Sequence, residues 1–246
     1  MKRFSWQFLL GSSLILLSAF FYFIHYMIFR DAHHIFLYLL GDVAFVPIEV
    51  LLVTLIIHQL LNEREKRTRL EKMNMVIGAF FSKVGIKLLT YLSDFDPNLN
   101  QIRSDLIVTN HWSEQEFISV NKRLRNYEYS VDMKKIDLEN IKTLLGGEMD
   151  FLLRLLENPY LLEHESFTEL LWAVFHIAEE LASREDMRGL PSTDYDHLAN
   201  DIKRAYVLTV HQWLDYMKHL KNHYPYLFSL AMRMNPFDQT ASPIIT

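Results

Sequence analysis

The chain has 246 residues, half of them hydrophobic and 13% aromatic, and 25 basic against 30 acidic side chains leave a formal net charge of −5. So mild a balance speaks against a nucleic-acid partner, which would need a basic face to engage phosphates. The absence of cysteine excludes disulfides, thiolate catalysis and cysteine-ligated metal centres.

The hydrophobic excess lies before Leu61. After Lys2 and Arg3, the stretch 4–29 is apolar and uncharged, and longer than the roughly 20 residues a helix needs to cross a bilayer core. A cleaved signal peptide does not fit, because the run is too long. Phe20-Phe21-Tyr22-Phe23-Ile24 also stands where small residues should mark a cleavage site. A short polar connection, Arg30-Asp31-Ala32-His33-His34, leads to a second apolar run over 35–61. Beyond it stand Arg64, Lys66, Arg67, Arg69 and Lys72, whereas the connection holds only Arg30. The positive-inside rule puts both termini in the cytoplasm and the connection outside. The expectation for 1–61 is therefore a transmembrane hairpin in the cell (inner) membrane, with spans over about 4–29 and 35–61.

Asp42 and Glu49 interrupt the second run, with Pro47 between them. Seven residues is nearly two helical turns, which sets the two carboxylates within about 20° of one face and about 10 Å apart along the axis. A carboxylate inside a bilayer costs several kcal/mol unless it is neutralised, paired or hydrated, and marks a functional site by default. Proline removes one backbone donor and frees the carbonyl of Val43. Two readings stay open. Asp42, Pro47 and Glu49 line a cation or proton pathway at the centre of an oligomer, or form an assembly contact. Alternatively the span starts at Val43, and Asp42 caps it at the outer interface.

The segment 62–97 opens with a charged run in which Glu63/Arg67, Glu65/Arg69 and Arg67/Glu71 are four apart, the spacing of an exposed helix. Arg64, Lys66, Arg67 and Arg69 are its candidate lipid-facing basic residues, although the interleaved acids cancel much of their charge. Met73, Ile77, Phe80, Val84, Leu88 and Tyr91 then follow helical spacing, with Lys83 and Lys87 on the other face. This predicts an amphipathic helix lying on the bilayer or packing into an oligomeric core.

From 98 to 246 the chain reads as a cytoplasmic helical domain. Ser113 with Glu116, and Ser166 with Glu169, have capping-box spacing. Asp137 opens a helix that Gly146-Gly147 interrupts and Asn158-Pro159 ends, and Gly189-Leu190-Pro191 is the clearest break before a long helix over about 194–222. The segment 106–109 is the one short strand candidate, and the tail after Pro236 reads as loose. The fold class is all-α.

His211, Asp215, His219 and His223 step by four along the long helix and are weak metal candidates. They lie opposite an apolar face of Tyr206, Val210, Trp213, Leu214, Met217 and Leu220, which favours a solvated stripe. His176, near Glu179 and Glu180, reads as a core or surface histidine, because the Glu-x-x-His pair of di-iron bundles is absent. No phosphate loop, nucleophile elbow or His-Glu-x-x-His helix occurs.

Three stretches carry a resemblance: residues 41–54 around Gly41-Asp42-Val43-Ala44-Phe45-Val46-Pro47-Ile48-Glu49, the Met73-Asn74-Met75-Val76-Ile77-Gly78 run, and Tyr224-Pro225-Tyr226 with Asn235-Pro236-Phe237. Together they resemble an uncharacterised prokaryotic family of two-span integral membrane proteins with a helical cytoplasmic domain. The resemblance implies a prokaryotic cytoplasmic membrane and transfers no catalytic residue and no cofactor. The expected function is a non-enzymatic anchor, interaction or signalling scaffold that acts as a homo-oligomer with a cytoplasmic protein partner. The alternative is an oligomeric cation or proton channel or transporter lined by the acidic face of the second span.

Overall fold

The computed structural model of the chain describes residues 2–244, apart from the side chains of residues 2–5, 7, 67, 162 and 163. Every regular element is helical, and the described residues contain no strand. The chain divides into two units, Met1–Lys66 and Arg67–Thr246.

The first unit holds α1 (Lys2–Phe29) and most of α2 (Ala32–Phe80). Only Arg30 and Asp31 separate the helices, so the connection is shorter than its polar composition suggests. Arg30 takes a positive φ of 49°, and its N–H donates to the Tyr26 carbonyl at 2.8 Å. The Asp31 carboxylate accepts the His34 N–H at 3.1 Å and caps α2, which draws His33 and His34 into the helix. Each of the two helices carries a segment long and apolar enough to cross a membrane. Among the described side chains from 6 to 66 none is buried.

Burial begins at Met73, inside the second unit. Met73, Ile77 and Phe80 of α2, then Phe81 and Val84 of a π-helical turn (Phe81–Gly85), then Leu88 and Leu92 of α3 (Ile86–Asp94) form one buried face. Lys83 and Lys87 are exposed, as the periodicity predicts. The destination of the apolar face differs from expectation. It packs within its own domain rather than on a bilayer or in an oligomeric core, and its buried residues from Met73 to Leu92 share one core with those of 98–246. The reason is local supply of apolar surface: Phe80 meets Phe167 edge-on at 5.6 Å, and Phe81 stacks on Tyr216 at 5.1 Å.

The remaining helices are α4 (Glu114–Arg125), α5 (Leu138–Gly146), α6 (Met149–Leu156), α7 (Glu165–Ala182), α8 (Ser192–His223) and α9 (Pro225–Arg233). The Ser113–Glu116 capping box forms: the Ser113 hydroxyl accepts the Glu116 N–H at 3.3 Å, and the Glu116 carboxylate accepts the Ser113 N–H. Asp137 caps α5 by accepting the Glu139 N–H at 3.0 Å, and its backbone N–H donates to the Tyr91 hydroxyl at 3.0 Å. Ser166 and Glu169 do not form a capping box. The helix starts earlier, where His164 Nδ1 accepts the Phe167 N–H at 3.3 Å. Gly189, at φ 76°, supplies the left-handed residue that turns α7 back towards α8.

Two further expectations are corrected. The segment 106–109 is no strand, because a 3-10 turn (Ser104–Leu106) runs into it and buries Leu106 and Val108 individually. The tail beyond Pro236 is anchored at its start. Phe237 is fully buried against Trp213 at 5.0 Å, and the Asn235 amide donates to the Leu106 carbonyl at 2.8 Å.

The π turn is closely packed. Neighbouring residues on a regular α-helix point about 100° apart, yet Phe80 and Phe81 are both buried. A Cβ at Gly85 would come within 2.6 Å of Phe81 Cδ1 and 2.8 Å of Phe80 Cε1. Neither ring is free to yield, since Phe167 and Tyr216 hold them. Gly85→Ala is therefore expected to destabilise the domain by about 1–3 kcal/mol through overpacking, against a helix-propensity gain of about 1 kcal/mol. Urea unfolding of the purified protein, followed by tryptophan fluorescence, measures the net loss.

Candidate functional site

On α2, Asp42 and Glu49 are both exposed on the flank of an apolar helix, and Pro47 sits inside that helix between them. Neither carboxylate has a hydrogen-bond or ion-pair partner among the described residues. Arg64, Lys66 and Arg69 are exposed further along α2, and the Arg67 side chain lies outside the described residues.

The histidine stripe of α8 does not converge. His211 Nδ1 lies 3.2 Å from Asn121 Oδ1 of α4, and Asp215 is exposed one turn away. His219 and His223 stack ring on ring at 4.5 Å. The expected solvated face is thus half covered. α4 packs on that side, where Lys218 pairs with Glu114 at 2.7 Å. Burial lowers the pKa of His211 and of His219, with Arg125 and His223 respectively adding to the effect.

A different set of side chains comes together where α7 and α8 run side by side. His176 and Glu180 lie one turn apart on α7, and His197 and Asp201 one turn apart on α8. One ligand atom each from His176, Glu180 and His197 lies within 4.8 Å of the other two. Asp201 Oδ2 is 3.3 Å from His176 Nε2 and 3.4 Å from His197 Nε2. Glu180 approaches both rings at 3.8 Å, Oε1 towards His176 and Oε2 towards His197. Two arginines hold the carboxylates from behind. Arg204 reaches Asp201 Oδ1 at 3.2 Å, and Arg184 reaches Glu180 Oε2 at 2.7 Å. Arg184 also makes a two-pronged contact with Asp194, at 2.9 and 2.6 Å. Asp201 is buried while the imidazoles are 40% and 50% exposed, so the cluster has a closed floor and an open mouth.

A second feature of the domain is an apolar cavity of about 680 Å³, lined among others by Met75, Phe81, Tyr216, His219, Leu227 and Leu230. Its volume is that of a small-molecule site or a groove for a partner side chain.

The α7–α8 cluster was within reach of the sequence. His-x-x-x-Glu at 176–180 and His-x-x-x-Asp at 197–201 repeat one spacing on either side of the Gly189 break. A search for acid-before-histidine pairs on a single helix passes over it. What the spacing alone cannot tell is that the turn sets the two helices in register.

The fold and its cluster define an all-helical protein in which two long N-terminal helices are followed by a helical domain. The family described as "MJ1433, N-terminal helical domain" matches residues 2–61, and that described as "Uncharacterized protein MJ1433, C-terminal helical domain" matches residues 69–233. The chain is 52% identical over 225 residues to the "Uncharacterized protein MJ1433" of Methanocaldococcus jannaschii, covering 92% of this chain and 90% of that protein. The chain belongs to the MJ1433 family. No solved structure matches it.

The arginine behind the cluster yields a prediction. Its hydrogen bonds lower the pKa of Asp194 and of Glu180 below their ordinary values of 3.8 and 4.5. A depressed carboxylate pKa stabilises the fold above the unfolded-state value, and that contribution disappears as pH falls through the native value. Arg184→Met is expected to lower the thermal midpoint by about 2–4 °C at pH 7. The gap to the parent protein should narrow as pH falls below the ordinary carboxylate values of 4.5 and 3.8, as scanning fluorimetry across an acid pH series would measure.

Proposed function

We propose that the chain is a non-enzymatic integral membrane protein. In this reading the two-helix hairpin of residues 1–61 anchors it in a prokaryotic cytoplasmic membrane, with both termini cytoplasmic. The helical domain that follows binds a cytoplasmic protein partner. One observation carries the reading: two helices long enough to span a bilayer leave their large apolar side chains exposed, from Trp6 to Leu61. Soluble proteins rarely leave so large a contiguous apolar surface uncovered. The excess of basic residues after Leu61 supports the orientation, and the apolar cavity of the domain supports a binding role.

The absence of native cysteine makes the topology directly testable. Arg30→Cys is expected to react with a membrane-impermeant maleimide in intact cells. Gln239→Cys should react only after permeabilisation, and the protein should resist extraction by alkaline carbonate. Release by carbonate, or the reverse labelling pattern, would overturn the proposal.

Asp42 and Glu49 favour a second reading alongside this one. Exposed on an apolar helix and without partners among the described residues, they call for water or a second chain if the helix spans a bilayer. A homo-oligomer that brings the acidic faces together supplies both, and makes the protein a cation or proton pathway. Native mass spectrometry should then give a ring of four or more subunits. Liposomes carrying the protein should pass a cation or proton flux that Asp42→Asn and Glu49→Gln reduce at least tenfold, whereas a monomer or an unaffected flux would dismiss the pathway.

A further inference from the structure

We infer that the α7–α8 cluster is a binding site for a divalent first-row transition-metal ion of the zinc type, with His176, His197 and Asp201 as ligands and Glu180 in the fourth position. The inference rests on interatomic distances. Zinc bonds its imidazole nitrogens and carboxylate oxygens at about 2.0–2.2 Å, which in a tetrahedron separates ligand atoms by about 3.3–3.6 Å. The two shortest His–Asp separations, 3.3 and 3.4 Å, have that edge length. The two contacts with Glu180, at 3.8 Å, need only a small rotation of a carboxylate that Arg184 grips through Oε2.

Direct hydrogen bonding explains the same atoms less well. Charge-assisted N–H···O bonds run at about 2.7–2.9 Å, and all four imidazole–carboxylate separations exceed that. Asp201 Oδ2 is buried and accepts no hydrogen bond, although two imidazole Nε2 atoms point at it. A buried carboxylate oxygen left in that state is costly unless a cation sits before it.

The surroundings fit a metal. Arg204 occupies the other oxygen of Asp201 and Arg184 one oxygen of Glu180, the kind of outer contact that orients metal-ligating carboxylates. Glu180, Asp194 and Asp201 against Arg184 and Arg204 leave one negative charge before the histidines are counted, so a dication is partly balanced. Two imidazoles with two carboxylates suit zinc and its neighbours in the first transition row, whereas calcium and magnesium take all-oxygen shells. The ligands come in pairs from two helices joined by the Gly189 turn, so the ion would tie α7 to α8. The exposed imidazoles leave it accessible to exchange from solvent.

The test uses the full chain, purified in detergent without a histidine tag, stripped with chelator and titrated with Co²⁺ and then Zn²⁺. One Co²⁺ per chain is expected to bind with the visible absorption of a four-coordinate site, and Zn²⁺ to displace it. His176→Gln, His197→Gln and Asp201→Asn should each weaken binding at least tenfold. His197→Gln changes a half-exposed side chain, and an unaltered circular dichroism spectrum would show that the fold is retained. His219→Gln with His223→Gln should bind like the parent. Failure to bind Co²⁺ saturably would overturn the inference, as would binding lost in the His219/His223 variant but kept in the other three.

Discussion

Where α7 turns back along α8, Leu170, Leu171, Val174, Ile177 and Leu181 lie in one core with Leu198, Ile202, Ala205, Tyr206 and Val210. Each fully buried aliphatic side chain contributes about 1.5–3 kcal/mol of burial free energy. The rest of the second unit is arranged on that pair. α5 and α6 pack on α7, while α4 and α9 pack on α8. Phe80 finds Phe167 of α7, and Phe81 finds Tyr216 of α8. Arg184, at the end of α7, bonds to Glu180 on the same helix and to Asp194 on α8. The register this sets is what places His176 opposite Asp201 and Glu180 opposite His197.

α2 shows how one helix serves two physical regimes. Its residues from Ile35 to Leu61 are largely apolar apart from Asp42 and Glu49, and none is buried, while from Met73 onward Met73, Ile77 and Phe80 form a covered face. Between them the run from Asn62 to Lys72 is charged and exposed wherever its side chains are described. The earlier part leaves its apolar side chains uncovered, and the later part is half-covered by its own protein. The two family matches, 2–61 and 69–233, end and begin on either side of this charged run.

Much of the helical framework was legible because its signals are local. The capping box at Ser113 and Glu116, the Asp137 cap, the Gly146-Gly147 interruption and the Gly189 turn act through neighbours within about four residues, and each appears where its spacing says. The misplaced cap at Ser166 shows the limit of such signals, since a His164 ring nitrogen took the position a serine hydroxyl would have filled. The 73–92 helix shows a different limit. Its periodicity identifies the buried face but carries no record of what buries it, so a bilayer, a second chain and the domain's own core all fit the pattern.

The sequence by itself determined the helical class, the two long apolar segments, and the apolar faces of the 73–92 helix and of α8. Those properties follow from composition and from the 3.6-residue period. Only the tertiary structure decided which distant residues meet. It left the His211–His223 stripe unassembled, with His211 turned to Asn121 of α4 while His219 and His223 stack on each other. It gathered His176, Glu180, His197 and Asp201 because a tight turn and a shared apolar core hold two different helices side by side. A closed set of ligands needs approach from more than one direction, and only the packing of one element on another provides it.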